Sequence, residues 1–136
     1  MKTKSALELA DLKTVASAAE AEATINHWKV TIAIVDDGGH LLWLQRLDGA
    51  APATTHIAAA KARTAALGCK ESKAFEDLIV SGRISFLSAP GLEAMLEGGV
   101  PILKDGSCVG AVGVSGVKSS DDAHIARVGI AAMNVS

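Results

Sequence analysis

The chain has 136 residues, a formal net charge of −2 and a pI near 6.0, with 49% hydrophobic and 21% charged residues. So apolar a composition excludes a disordered tail, and scattered basic residues at an acidic pI exclude the electrostatic footprint of a nucleic-acid-binding protein. The purest apolar run, residues 30–35, falls far short of the roughly 20 residues that a membrane-spanning helix needs.

One domain of ordinary size is expected over residues 1–136, with a core that needs no disulfide staples. Lys2 and Lys4 are basic, but Glu8 and Asp11 interrupt the apolar stretch that a secretory leader requires. Cys69 and Cys108 are the only cysteines. Nothing asks for an oxidising compartment, so a cytoplasmic protein with two reduced thiols is expected. Twenty-five residues are alanine and only 3% are aromatic. Such small apolar surface favours burial between subunits, and a homo-oligomer is expected.

The spacing of Ser5 and Glu8 predicts a capping box opening a first helix. Leu9, Leu12, Ala16, Ala19 and Ala23 then mark one apolar stripe running to about Asn26. Residues 30–35 form a β-branched run followed by Asp36-Asp37-Gly38-Gly39 and residues 40–47, which reads as a hairpin. Residues 54–67 are helical and alanine-rich, and a second helical stretch covers about 71–80. Residues 83–97 resist assignment, with Ser88-Ala89-Pro90-Gly91 reading as a loop. A second hairpin joins residues 100–104 to 107–115 through Asp105-Gly106. Gly110 and Gly113 in its returning strand imply a bulge or the close approach of another backbone. Ser119 or Ser120, followed by Asp121 and Asp122, predicts the N-terminus of a last helix that buries Ile125, Val128, Gly129 and Ala132. The order helix, hairpin, two helices, hairpin, helix needs no parallel crossover. It indicates an α+β domain, an antiparallel sheet flanked by helices.

Neither glycine pair stands between a strand and a helix in the pattern that cradles a dinucleotide, so no nucleotide cofactor is expected. No local metal-ligand spacing links His27, His40, His56 and His124, and no serine sits in a nucleophile elbow. Cys69 follows a helix-ending glycine and Cys108 lies in a strand; both are read as buried, inert thiols. Lys61 is more informative. Its helix offers it no carboxylate, so it either snorkels to solvent or points into a polar cavity. Arg46 alternates with Leu42 and Leu44 and so shares a sheet face with apolar side chains. A cation there needs a partner. Asp48 is one; the alternative is an anion pocket formed by Arg46 and Lys61, suited to a carboxylate.

Taken together, several segments resemble the GlcG/HbpS-like family. They are Val30-Thr31-Ile32-Ala33-Ile34-Val35-Asp36-Asp37-Gly38-Gly39-His40-Leu41, Arg46-Leu47-Asp48-Gly49-Ala50 and Ile57-Ala58-Ala59-Ala60-Lys61-Ala62. Gly98-Gly99-Val100-Pro101-Ile102 and Val109-Gly110-Ala111-Val112-Gly113-Val114-Ser115-Gly116, then Asp122, extend the likeness over nearly the whole chain. Val117 stands where the family has a second glycine. The resemblance implies a profilin-like sandwich, assembly as a homo-oligomer (in some members an octamer) and a small-molecule ligand, with haem the cofactor most often attached to the family. It implies ligand contacts from Arg46, Asp48, Lys61, Gly98, Gly99 and Pro101, with His27, His40, His56 or His124 ligating iron and Arg46 or Lys61 pairing with a propionate. The alternative is an enzyme, isomerase or lyase-like, acting on a carboxylate metabolite. There Arg46 would hold the carboxylate and Lys61, made a neutral amine by its alanine-rich setting, would act as base or imine former.

Overall fold

The structure, a computed structural model, describes residues 1–134. Helix α1 (Leu9–Ile25) leads to strands β1 (Thr31–Asp36) and β2 (Leu41–Arg46), then helices α2 (Ala53–Gly68) and α3 (Ser72–Val80). After a 3₁₀ turn at Ile84–Ser88 come β3 (Gly99–Lys104), β4 (Ser107–Ser115) and helix α4 (Ser119–Ala131). The strands form one antiparallel sheet in the order β2-β1-β4-β3. This is the expected α+β, profilin-like arrangement, with helices on both faces of the sheet.

The two faces differ in what covers them. Ile32, Ile34, Val100, Ile102, Val112 and Val114 point to one side and pack with Leu12, Val15, Ala19 and Ile125 of α1 and α4. Ala33, Val35 and Ala111 point to the other and meet Ala58, Ala62, Ala65 and Ala66 of α2. Central strand β1 is therefore buried on both faces, which explains its unbroken apolar run. Edge strand β2 is covered on one side only, and Leu41, Leu42 and Leu44 remain 39–51% exposed.

Two helix starts differ from expectation. Helix α1 begins after Glu8, whose N–H donates to the Asp11 carboxylate at 2.8 Å, so the reciprocal box is Glu8/Asp11 rather than Ser5/Glu8. The segment before it has no regular secondary structure, Leu7 packing against the core and Lys4 pairing with Asp37. Helix α4 is capped at Lys118 without a side-chain bond from Ser119 or Ser120, because Ser119 turns to Glu97 instead.

Candidate functional site

Lys61 lies on the sheet-facing side of α2, its side chain 4% exposed. The helix can approach so closely because it meets glycine. A Cβ added at Gly113 would come within 2.1 Å of the Ala58 carbonyl oxygen, and one at Gly99 within 2.1 Å of the Lys61 carbonyl oxygen. This is the close backbone approach that a glycine in a strand implies. The trapped ammonium donates to Val114 O and to Asp122 Oδ2, each at 3.1 Å. Asp122 Oδ1 accepts from the Val117 N–H at 3.1 Å. Gly98, at φ 135°, closes over the ammonium: a Cβ there would lie 2.7 Å from Nζ. Burial pushes the Asp122 carboxyl above the usual carboxylate range, while the Lys61 charge and the Val117 N–H pull the other way. The pair ties α2, β4 and α4 together.

Lys61 thus neither snorkels nor faces an open cavity. Arg46 does not join it: its Nε donates to Ala50 O at 2.9 Å, where the turn through Gly49 (φ 86°) brings that carbonyl back beneath the guanidinium. No Arg46–Asp48 ion pair forms among the described residues. Within the described residues Arg46 and Lys61 do not converge on one anion pocket: Lys61 is paired with Asp122 and Arg46 donates to Ala50 O. Gly98 and Gly99 pack on Lys61, and Pro101 pairs with Ala111 on the α2 side of the sheet. The two glycines serve close packing against Lys61. Asp48 does border a groove of about 360 Å³, shared with Glu20, His27, Trp28 and Lys29.

The four histidines occupy different settings. His27 follows α1 in the left-handed region (φ 59°). His40 Nδ1 lies 3.1 Å from Asp36 Oδ1, and the Gly38 and His40 N–H groups donate to the same oxygen at 2.9 Å. Burial works to raise the Asp36 carboxyl, but these bonds and the imidazole hold it below the usual range. His124 Nε2 lies 2.7 Å from Glu22 Oε2, with Trp28 edge-on at 6.4 Å between ring centroids. The His56 ring has no hydrogen bond among the described residues. It borders an open groove of about 330 Å³ between α2 and β2, with Leu41, Leu44, Ala59 and Ala60 as apolar lining and Arg63 at its side.

Such a groove offers one ligand an imidazole without a hydrogen-bond partner, apolar side chains and an exposed guanidinium, with the Glu93 carboxylate also at its border. Sequence reasoning missed Arg63, although His56, Ala60 and Arg63 follow at i, i+4 and i+7, the spacing of one helix face. It also missed the pairing of Asp122 with Lys61. Asp122 carried a helix-terminus signal and a place in the family motif, neither of which names a partner, and no local pattern links residues so far apart.

A family model described as "Haem degrading protein HbpS-like" matches residues 7–131. Protein GlcG of Escherichia coli (strain K12) is 50% identical over 115 residues, 85% of each chain. The crystal structure of a Streptomyces reticuli HbpS double mutant superposes with a TM-score of 0.90 at 28% identity, covering 98% of this chain and 91% of that one. The structure of a PduOC:heme complex superposes with a TM-score of 0.86 at 29% identity, covering 97% and 98%. Sequence and architecture agree, and the chain belongs to the HbpS-like family.

Proposed function

We propose that this protein binds haem, or a tetrapyrrole of the same shape, in the groove between α2 and β2, as a cytoplasmic homo-oligomer. One observation carries the reading: His56, free of hydrogen bonds among the described residues, stands beside an apolar wall of Leu41, Leu44, Ala59 and Ala60 with Arg63 within the same groove. A neutral imidazole ligates iron, an apolar wall takes a macrocycle face, and a guanidinium pairs with a carboxylate. The residues therefore fit the group. The similarity to a structure solved with haem, PduOC, supports the same reading. Bound haem supplies iron redox chemistry; the chain supplies the ligand, the cation and the wall that excludes water from one face.

Self-association is supported by apolar surface left uncovered on the single chain. Val80, Ile84 and Leu87 are 80%, 66% and 61% exposed at the end of α3 and in the 3₁₀ turn. Beside them Val80, Leu87, Met95 and Leu96 border a groove of about 580 Å³. The cytoplasmic reading rests on two free thiols, and no helix among the described residues is long and apolar enough to cross a membrane.

The test is a haemin titration followed in the Soret region, with wild type beside the His27→Ala, His40→Ala, His56→Ala and His124→Ala variants. We expect a saturable shift at one haem per chain that only His56→Ala abolishes. Arg63→Ala should weaken binding about tenfold, the loss of one charge-assisted hydrogen bond of roughly 1.4 kcal/mol. A non-saturating wild-type spectrum would retire haem; loss in a different histidine variant would move the site out of this groove.

A further inference from the structure

The two cysteines, 39 positions apart in the sequence, converge at the end of the molecule remote from any role given to them above. Cys69 caps α2 with φ 56° and ψ 34°, a left-handed conformation usually held by glycine or asparagine, and the adjacent Gly68 does not take it. Its sulfur lies 3.6 Å from Ala66 O. Cys108 stands on β4 beside the register shift between Ile102 and Leu103, its sulfur 3.8 Å from the same Ala66 O and 3.3 Å from Gly110 O. One carbonyl thus faces both thiols. Both sulfur-bearing residues border an open pocket of about 500 Å³ with Lys2, Lys4 and Lys104 at its rim. Cys69 is exposed and Cys108 half-buried. These positions correct the expectation that both thiols are buried.

We infer that Cys69 and Cys108 form a modification site that a hydroperoxide converts to a reversible disulfide within one chain. Exposure assigns the first step to Cys69. Its sulfur attacks one peroxide oxygen, the S–O bond of a sulfenic acid forms, the O–O bond breaks and one water (or alcohol) leaves. The Cys108 sulfur then attacks the Cys69 sulfur. The S–S bond forms, the S–O bond breaks, and the departing hydroxide takes the Cys108 proton as a second water. Two thiols lose two electrons in total and the peroxide gains them. Cys108 is left the resolving role by its place: its sulfur and that of Cys69 face the same Ala66 carbonyl, while burial, which pushes the Cys108 thiol up against the opposing Gly110 interaction, keeps it from meeting the peroxide first. The bond would join the C-terminal end of α2 directly to the β3–β4 hairpin. The inference is independent of haem.

The experiment treats the purified full chain, free of haem, with stoichiometric hydrogen peroxide. Free thiols should fall from two per chain to none, with intact mass showing loss of two hydrogens and recovery in dithiothreitol. Peptide mapping should place the link between Cys69 and Cys108 of a monomer-sized species. In the Cys108→Ser protein, dimedone should trap a sulfenic acid on Cys69; in Cys69→Ser, Cys108 should stay unreacted at the dose that exhausts wild type. An arsenoxide probe, which bridges paired thiols, should bind untreated wild type once per chain. Retention of both thiols, a link between chains, or oxidation to sulfinic acid without a link would overturn the inference. The wild-type measurements decide this even if neither serine variant folds.

Discussion

Lys61 and Asp122 are a buried pair whose members cannot be removed singly without exposing the other's charge to the core. Asp122→Ala would strand an ammonium and orphan the Val117 N–H, and should cost about 3–5 kcal/mol in denaturant unfolding. Lys61→Met leaves a buried carboxyl whose folded-state pKa, already raised, loses the cation that restrained it. A raised carboxyl contributes stability that is present below its unfolded value, about 3.9, and lost as pH rises through the folded value. The Lys61→Met deficit should therefore be smallest in acid and grow toward neutrality. The Lys61→Met/Asp122→Leu double variant should recover most of either single loss, because two apolar groups leave nothing unpaired. If the single losses simply added, the ion pair would not be the unit described here. Asp36 behaves oppositely. Its lowered pKa makes its contribution present above the unfolded value and lost as pH falls through the folded one. Asp36→Ala should cost roughly 1 kcal/mol near neutrality and flatten the acid limb of the stability profile.

Between elements, the close contact of α2 with β3 and β4 decides how much of the molecule's polar interior can exist. Small residues face small residues there: Ala58 and Ala62 over Gly113, and the Lys61 backbone over Gly99. The helix backbone is too near to yield to an added methyl. Gly113→Ala and Gly99→Ala should each destabilise by about 3 kcal/mol, at the upper end for overpacking, as a shift in the thermal midpoint. Both should also loosen the Lys61–Asp122 pair, since it exists only while α2 is held against the sheet. Near-neutral effects would mean that the helix stands farther off.

For the whole molecule, the proposed self-association has a mass that sedimentation velocity can read. Wild type should sediment as one species of several subunits at micromolar concentration, and Val80→Glu/Leu87→Glu should reduce it to monomer with its circular dichroism unchanged. Those side chains lie well exposed at the end of α3 and the 3₁₀ turn, so the charges disturb no core within a chain. A wild-type monomer would remove the need for a partner over this surface. The proposed haem groove shares only Glu93 with this surface and includes neither Val80 nor Leu87, so a monomeric variant that still binds haem once per chain would separate assembly from ligand binding.

The sequence by itself determined the elements and their order. β-Branched runs, turn dipeptides and 3.6-residue stripes are local signals, and both hairpins and all four helices were legible from them. Residues 83–97 carried no such period, and the short 3₁₀ turn within them went unread. Family motifs announced the antiparallel α+β architecture as well. Tertiary structure alone decided what each chemical group faces. Lys61 looked like an unpaired cation because its carboxylate comes from α4, brought in by packing across the sheet. Arg46 looked like its partner because strand alternation places side chains on a face but does not say what covers that face. Of four histidines with no local distinction, the rings of His27 and His56 lack a hydrogen-bond partner among the described residues, and only packing sets His56 beside Leu41, Leu44, Ala59 and Ala60. Cys69 and Cys108, each unremarkable in its own segment, face one carbonyl because the end of α2 lands on the start of β4. Side-chain pairing over such separations depends on register and helix placement, which no short window of sequence encodes.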